Sequence, residues 1–212
     1  PFNVATYNYA GQVWPLPQTG QMWLEHELLS KPDSKGFFCV STSYRQEPNA
    51  IPGRHDIIFP MFEFEMPGDV HDLKAMEIEL CDYLGFDPLT EKTYREWQQH
   101  WGVSADVEMD DSHEKGMEMN FGSCLITDFP ELTSPFWNMA RNDDGETAKK
   151  MDVILGGMET IGSAERSCDV DMMRDTFHSI VDGEYAQLLY KLFGKERVEA
   201  ELEKFLEFDF FQ

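Results

Sequence analysis

Alternating apolar and polar positions predict a β-hairpin in the first third of the chain. Residues 37–44 are rich in aromatic and β-branched side chains, and residues 57–66 alternate in the same way after a turn-forming polar segment. Side chains alternate across a strand, so one face of the returning strand carries an aromatic ring and two carboxylates. The residues of that face are Ile57, Phe59, Met61, Glu63 and Glu65.

Apolar residues spaced three and four positions apart predict amphipathic helices in the rest of the chain. We expect Trp23 in the first helix, Leu84 in the second and the aromatic stripe around Trp97 in the third to be buried. The predicted helices span residues 19–29, 69–84, 90–101, 169–180 and 183–206, and the last is bent near Gly194.

Two further strand segments and one acidic segment complete the pattern. Residues 123–129 predict a strand, and residues 151–161 predict a strand pair broken at Gly156-Gly157. Residues 105–118 are acidic and weakly patterned, so we expect them to cap a surface. Strands joined by hairpins and interrupted by helices predict an α+β fold, in which helices flank an antiparallel sheet.

Composition narrows the classes of function. Hydrophobic residues make up 42% of the 212 residues and aromatic residues 13%, which suits one folded domain with a full core. The formal net charge of -23 repels nucleic acid and argues against a broad phosphate-binding surface. No apolar run is long enough to cross a membrane.

Cysteine and histidine spacing argues against a zinc or redox centre. The four cysteines lie far apart without a Cys-x-x-Cys pair, which indicates reduced thiols in a cytoplasmic protein. We expect each cysteine to be a small core residue rather than a nucleophile. The histidines show no ligand spacing with the cysteines or with each other.

The predicted hairpin carries residue types that suit a nucleotide. Arg45 and Glu47 follow the first strand, and Arg54 and His55 precede the second. Arginine binds phosphate through two parallel hydrogen bonds, and an aromatic ring such as Phe59 can stack on a base. An ordinary charged surface hairpin would carry similar residues, so the pattern alone leaves both interpretations open.

A second polar group lies in the predicted strand pair. Asp152 and Glu159 are seven residues apart, and Arg166 lies seven residues beyond Glu159. Two carboxylates suit Mg²⁺ bound to ATP phosphates, and the glycines between them let the backbone approach a ligand closely. Acidic residues are common in this chain, so chance spacing is the competing explanation.

Both groups resemble segments of the class II aminoacyl-tRNA synthetases, most closely the aspartyl and asparaginyl subgroup. The Arg-x-Glu at Arg45 resembles the opening of the family's motif two, and the Arg-His-x-x-x-Phe ending at Phe59 resembles its close. One departure is Ile58, where family members usually carry Glu. The Asp-x₆-Glu-x₆-Arg pattern from Asp152 to Arg166 resembles the segment before motif three.

The resemblance implies a reaction and its cofactors. The carboxylate of an amino acid attacks the α-phosphorus of ATP, which gives an aminoacyl-adenylate and pyrophosphate, and the aminoacyl group passes to tRNA. ATP and Mg²⁺ are the implied cofactors, and the complete protein would form a homodimer. Catalysis of this kind depends on positioning and on charge stabilisation.

The resemblance also implies roles for the hairpin residues. Arg45 would contact the α-phosphate, and Glu47 would accept a hydrogen bond from the adenine amino group. Phe59 would stack on adenine. Arg54 and His55 would reach the β- and γ-phosphates.

The remaining implied roles concern the metal and the amino acid. Asp152 and Glu159 would hold the metal–ATP complex, and Glu63 would hold the α-ammonium group of the amino acid. Arg166 would bind the side-chain carbonyl or carboxylate. The resemblance therefore predicts that segments far apart along the chain converge on one cleft.

The segment that opens the first helix resembles the family's Ser-Pro-Gln or Ser-Gly-Gln element. Aspartate-specific members carry Lys three residues after its Gln, where this chain has Leu24. Asparagine-specific members have a Glu four residues after it, and Gln21 and Glu25 match that pattern. A carboxylate at Glu25 accepts hydrogen bonds from an amide, whereas aspartate would bring two anions together. Asparagine is therefore favoured, and an exposed helix charge at Glu25 is the alternative.

The resemblance covers the middle of the family's catalytic domain. We expect residues 1–212 to form a single catalytic-type domain without most of motif one, without motif three and without an anticodon-binding domain. The chain is then a piece of a longer protein or a paralogue that has lost function. Two other functions stay open: a tRNA-independent, ammonia-dependent asparagine synthetase, and a non-catalytic regulator that binds an amino acid.

Overall fold

The computed structural model describes residues 4–46, 53 and 56–209, which form two compact units. Unit 1 consists of the described residues of Pro1–Pro67 and Phe177–Gln212, and unit 2 consists of Gly68–Thr176. Three residues of the expected site, Glu47, Arg54 and His55, lie outside the described residues. The expectation of a single catalytic-type domain stays a prediction.

Unit 1 contains two antiparallel hairpins and a set of helices. The first hairpin is formed by the first two strands and was not expected from the sequence. The elements of unit 1 are β1 (Thr6–Tyr9), β2 (Gln12–Pro15), α1 (Gln21–Ser30), β3 (Phe37–Tyr44), β4 (Ile58–Glu65), α6 (Glu184–Phe193) and α7 (Lys195–Asp209). The single helix expected near the end of the chain is interrupted at Gly194, whose φ of +87° suits glycine.

The predicted hairpin of unit 1 is confirmed, with its predicted faces. β3 pairs with β4 so that Cys39 lies opposite Glu63 and Ser43 lies opposite Phe59. Glu63 is buried, and Phe59 is half-buried on the same face. Phe62 is exposed because it points to the other face of the pleated strand. Period-two alternation therefore identified the protected face of the hairpin.

Two predicted buried positions are wrong. Trp23 is 74% exposed, because α1 buries its neighbours Leu24 and Glu25 instead. Leu84 is 59% exposed, because the helix ends at Tyr83 and Leu84 is its C-terminal cap. In both cases the helix was expected, but its buried face or its end was misplaced.

Unit 2 is built on a four-stranded sheet with the strand order β5-β6-β7-β8. The α+β class is confirmed, and the strand pairs β6–β7 and β7–β8 are antiparallel, whereas β5 pairs with β6 in parallel. The elements are α2 (Val70–Tyr83), β5 (Thr90–Thr93), α3 (Tyr94–Trp101), α4 (Asp111–Phe121), β6 (Cys124–Pro130), β7 (Thr147–Leu155), β8 (Met158–Ala164) and α5 (Val170–Ser179), which extends into unit 1.

The parallel strand and one helix were missed by sequence analysis. The helix expected at 90–101 begins only at Tyr94, because Thr93 caps it through a capping box with Glu96. The four preceding polar residues form β5 instead. The acidic segment 105–118 contains the start of α4, which Asp110 caps and which buries Met117.

The sheet of unit 2 has a hydrophobic cluster on each face. One cluster includes Tyr94 and Trp97 of α3 together with Ile126 and Ile154 of the sheet, with Trp101 packed against it. The predicted aromatic stripe is therefore confirmed as core. The other cluster joins α2 to the opposite side chains of the central strands: Cys81, Leu125, Met151, Val153 and Leu155.

The cysteines agree in part with expectation. Cys81 and Cys124 are buried, as expected for small core residues. Cys39 is half-buried, and Cys168 is exposed, so the core interpretation is wrong for Cys168. Within the described ranges, the structure has no helix long and apolar enough to cross a membrane.

Candidate functional site

In unit 1, the N-terminus of α1 is fixed to β4 by the carboxylate of Glu63. Glu63 is buried and accepts hydrogen bonds from the backbone N–H of Gly20, at 2.9 Å to each carboxylate oxygen. The hydroxyl of Thr19 donates to the same carboxylate, and the hydroxyl of Ser41 does so at 2.5 Å. Negative charge at a helix N-terminus is favourable because it faces unpaired N–H groups. Glu63 therefore holds α1 against the hairpin.

Gly20 allows a close approach of side chains to the backbone at this junction. A Cβ atom at position 20 would lie 2.9 Å from Cys39 Sγ and 3.0 Å from Glu63 Oε2. Burial and the charge of Glu63 raise the pKa of the Cys39 thiol. A thiol with a raised pKa stays protonated at neutral pH, which argues against a nucleophilic role for Cys39.

Helix α1 carries the two expected amino-acid ligands on its first turns. Glu25 is only 3% exposed, so its interpretation as an exposed helix charge is wrong. The side-chain oxygen of Gln21 is buried and accepts no hydrogen bond from the described part of the chain. An unused buried acceptor is costly unless a ligand or water satisfies it.

Arg45 and Phe59 meet at the open end of the hairpin. The guanidinium carbon of Arg45 lies 5.8 Å from the centre of the Phe59 ring, a cation–π distance. The Arg45 Nε donates to the hydroxyl of Ser43 at 3.4 Å, and that hydroxyl donates to the carbonyl of Gln18 at 2.7 Å. Arg45 itself is exposed, so its guanidinium group can contact a ligand.

In unit 2, the expected pair of carboxylates is brought together by strand pairing. Asp152 lies opposite Gly162 in the β7–β8 register, and Glu159 precedes Gly162 on β8. A Cβ atom at position 162 would lie 2.6 Å from Glu159 Oε1 and 3.4 Å from Asp152 Oδ1. The two acids therefore point at the same place above Gly162, where a side chain would crowd them.

The environment of Asp152 strongly perturbs its carboxyl group. Asp152 is 5% exposed, and burial raises its pKa well above the usual range. The ammonium of Lys150 forms an ion pair with Asp152 Oδ2 and opposes this rise, whereas the charge of Glu159 adds to it. Asp152 Oδ1 is buried and accepts no hydrogen bond from any described residue.

Arg166 follows β8 and is anchored to a separate segment. Its guanidinium donates to the side-chain oxygen of Asn138 at 3.2 Å, and Met139 forms an isolated bridge with Arg166. Asn138 is completely buried, and its backbone carbonyl accepts a hydrogen bond from the backbone N–H of Ser167 at 2.9 Å. The contacts with Asn138 and Met139 therefore limit the positions that Arg166 can take.

A cavity of about 240 Å³ lies within unit 2 on the Asp152 face of the sheet. Its aromatic wall includes Tyr94 and Phe129, whose ring centres are 5.1 Å apart. Its charged lining residues include Glu108, Glu114, Lys150, Asp152 and Glu159. A cavity of this size suits part of a nucleotide or a small polar molecule.

The chain matches a sequence profile described as tRNA synthetases class II (D, K and N) over residues 1–207. The chain belongs to this family. The family match and the mixed α+β architecture confirm the resemblance and the fold class expected from sequence.

Individual class II synthetases match parts of the chain. A segment of 82 residues is 32% identical to an asparagine–tRNA ligase of Treponema denticola and covers 37% of this chain and 16% of that protein. A segment of 114 residues is 26% identical to an asparagine–tRNA ligase of Rhodopirellula baltica and covers 50% of this chain and 22% of that protein.

Solved synthetase structures share the fold at low sequence identity. The asparaginyl-tRNA synthetase of Pyrococcus horikoshii, complexed with asparaginyl-adenylate, matches with a TM-score of 0.75 and 18% identity over 95% of this chain and 51% of that one. The aspartyl tRNA synthetase of Entamoeba histolytica matches with a TM-score of 0.69 and 17% identity over 90% of this chain and 44% of that one. The chain thus spans about half the length of these structures.

The family uses ATP and Mg²⁺. The oxygen ligands around Asp152 can therefore be compared with those that Mg²⁺ needs. The described residues contain no group of three or more His, Cys, Asp or Glu side chains suited to a metal ion. Mg²⁺ usually binds one or two carboxylates and fills its shell with water and phosphate oxygens. Asp152 Oδ1, which accepts no hydrogen bond within the described part of the chain, and the nearby Glu159 Oε1 fit that requirement.

Two titratable residues of unit 2 were missed by sequence analysis. Lys150 lies two residues before Asp152 on the same strand, so period-two alternation could have placed both on one face. Glu77 of α2 is completely buried beside Ser163 of β8, but its sequence neighbourhood looks like an ordinary helix surface. Only the packing of α2 on the sheet identifies it.

Proposed function

We propose that the protein activates asparagine with ATP to form asparaginyl-adenylate for transfer to tRNA. The observation that carries the choice of asparagine is the burial of Glu25 on α1. A buried carboxylate can accept hydrogen bonds from the side-chain NH₂ of asparagine. With aspartate it would face a second buried anion, which is strongly unfavourable.

The amino acid is held at both of its ends in this proposal. Glu25 accepts from the side-chain amide, and Arg166 donates to the side-chain carbonyl oxygen. Glu63 binds the α-ammonium group, and Gln21 contributes its buried side-chain oxygen, which accepts no hydrogen bond from the described residues. The hydrogen bonds that Glu63 already accepts from Gly20 and Thr19 support a role in positioning α1 as well.

In this proposal each unit presents residues that bind the nucleotide. Phe59 stacks on the adenine ring, and the guanidinium of Arg45 contacts the α-phosphate. Asp152 and Glu159 would hold Mg²⁺, which neutralises phosphate charge and orients pyrophosphate as the leaving group. The assignments of Glu47 to adenine and of Arg54 and His55 to the outer phosphates stay predictions.

The reaction needs no general base from the chain. The α-carboxylate of asparagine is already ionised at neutral pH, so it attacks the α-phosphorus directly in line with the leaving pyrophosphate. Arg45 stabilises the charge that builds up on the α-phosphate oxygens in the transition state. The main contributions of the chain are therefore orientation and positive charge.

The specificity is tested by Glu25→Gln in the protein at its full encoded length. We expect the wild-type protein to catalyse ATP–pyrophosphate exchange with asparagine in preference to aspartate. Because glutamine removes the repelling charge, the variant should lose at least about tenfold of that preference. Exchange rates with both amino acids at several concentrations measure the change in kcat/KM.

One control variant and three alternative outcomes separate this proposal from the other functions. Glu27→Gln changes a carboxylate on the same helix that pairs with Lys31, and the preference should be retained. A wild-type preference for aspartate would contradict the assignment. Release of free asparagine from aspartate, ammonia and ATP without charging of tRNA would favour the asparagine synthetase, and amino-acid binding without exchange would favour a regulator.

A further inference from the structure

Most of the charged side chains that line the cavity of unit 2 are carboxylates. Asp152 and Glu159 point at one place, and the carboxylate of Glu114 accepts a hydrogen bond from the backbone N–H of Glu159 at 3.3 Å. Glu108 lines the same cavity. Among the lining residues, Lys150 carries the permanent positive charge. The cavity therefore attracts cations, and the chain supplies one itself.

The ammonium group of Lys150 is fixed in place from two sides. It forms an ion pair with Asp152 Oδ2, and it lies 3.6 Å from the centre of the Phe129 ring. The side chain of Lys150 is mostly buried, as is that of Asp152. Ion pairing and cation–π attraction act together in a partly desolvated place, where both are stronger than in water.

This arrangement leaves Asp152 with one oxygen for a metal. Oδ2 is committed to Lys150, and Oδ1 points to the place above Gly162 that Glu159 Oε1 also approaches. A divalent cation bound there would share the Asp152 carboxylate with the ammonium group and would be repelled by it. The carboxylate pair is therefore partly neutralised before any metal arrives.

We propose that Lys150 is a built-in counter-ion that weakens the binding of free divalent cations by Asp152 and Glu159, so that the metal enters this site together with ATP. The inference rests on the metal assignment of the proposed function. Phosphate oxygens that arrive with the metal give the Lys150 ammonium a second anionic partner, which offsets the repulsion. Lys150 is thus a positioning residue that sets the order of binding.

Binding of Mn²⁺ alone tests the proposal without any catalytic readout. Free Mn²⁺ is measured by electron paramagnetic resonance in titrations of the purified protein, at a pH well above neutral where the carboxylates are ionised. We expect Lys150→Met to bind one Mn²⁺ at least about tenfold more tightly than the wild-type protein. Adding Asp152→Asn to that variant should remove the gain.

Matched variants isolate the charge. Lys149→Met removes the neighbouring lysine, which pairs with Glu165 at 2.6 Å, and should leave Mn²⁺ binding as in the wild type. Lys150→Arg keeps the positive charge and should also keep weak binding. If circular dichroism shows that Lys150→Met is unfolded, Lys150→Gln replaces it, with the same expected gain.

The opposite results overturn the inference. Equal or weaker Mn²⁺ binding by the folded Lys150 variants would mean that the lysine orients Asp152 for the metal rather than competing with it. A gain in Mn²⁺ affinity together with no asparagine-dependent exchange would retain the inference and contradict the proposed function. Asparagine-dependent exchange without a gain in Mn²⁺ affinity would retain the proposed function and contradict the inference.

Discussion

Replacing Arg45 by alanine is expected to reduce asparagine-dependent ATP–pyrophosphate exchange by at least about a hundredfold, with the protein still folded. Arg45 is exposed, and its described side-chain contacts are with Ser43 and the Phe59 ring. Its removal therefore costs little packing. It takes away the charge proposed to stabilise the α-phosphate in the transition state, so kcat should fall more than the affinity for asparagine.

Two further variants make the Arg45 result interpretable. Arg45→Lys keeps the charge but loses the paired hydrogen bonds of the guanidinium, and its exchange rate should lie between those of wild type and Arg45→Ala. Arg174→Ala removes an arginine that pairs with an exposed aspartate on α5, and its exchange rate should stay within about twofold of wild type. Near-normal exchange by Arg45→Ala would remove Arg45 from the mechanism.

The second large effect concerns the pH dependence of stability, through Glu77. Glu77 is 0% exposed on α2, and desolvation raises its pKa from 4.5 to about 7, although the facing hydroxyl of Ser163 lowers it in part. The folded state therefore binds this proton more tightly than the unfolded state. The stability that protonated Glu77 contributes is fully present below pH 4.5 and is lost as pH rises through about 7.

The expected magnitude follows from the size of the shift. Between pH 4.5 and about 7 the free energy of unfolding should fall by about 3 kcal/mol because of Glu77 alone. Glu77→Gln cannot titrate and should remove this fall, so the variant gains relative stability at alkaline pH. Urea unfolding at a series of pH values measures the difference between the two proteins.

A matched control for Glu77 lies on the same helix. Glu79 is exposed on α2, and Glu79→Gln should retain the wild-type pH dependence. Identical pH profiles for wild type and Glu77→Gln would mean that Glu77 does not carry the effect.

The elements that sequence analysis found are those whose pattern is local. β3 and β4 were predicted with their faces because alternation along a strand depends only on neighbouring residues. The four polar residues of β5 have no alternation, and their place in the sheet depends on pairing with β6. α4 was missed because it buries Met117 among charged residues. The pairing of β5 and the packing of α4 depend on tertiary contacts, which the local sequence pattern does not encode.

The candidate site likewise combines features that are visible in the sequence with features that depend on the fold. The spacing of Asp152 and Glu159 was visible in the sequence, but their meeting above Gly162 depends on the β7–β8 register. The significance of Glu25 came from resemblance, since its neighbours on α1 look like a polar surface. Its burial, like that of Glu77, is a property of the folded chain. Buried carboxylates are the features that a charge count cannot distinguish from solvated ones.

The central claim is that the protein binds asparaginyl-adenylate, with Arg45 and Arg166 among the residues that contact it. It is tested most directly by calorimetric titration of the full-length protein with a non-hydrolysable sulfamoyl analogue of asparaginyl-adenylate. We expect one analogue bound per chain, and an affinity at least about a hundredfold lower in Arg45→Ala and also in Arg166→Ala, since each loses a charged hydrogen bond to the ligand. Wild-type affinity in either folded variant would mean that the replaced arginine does not bind the adenylate.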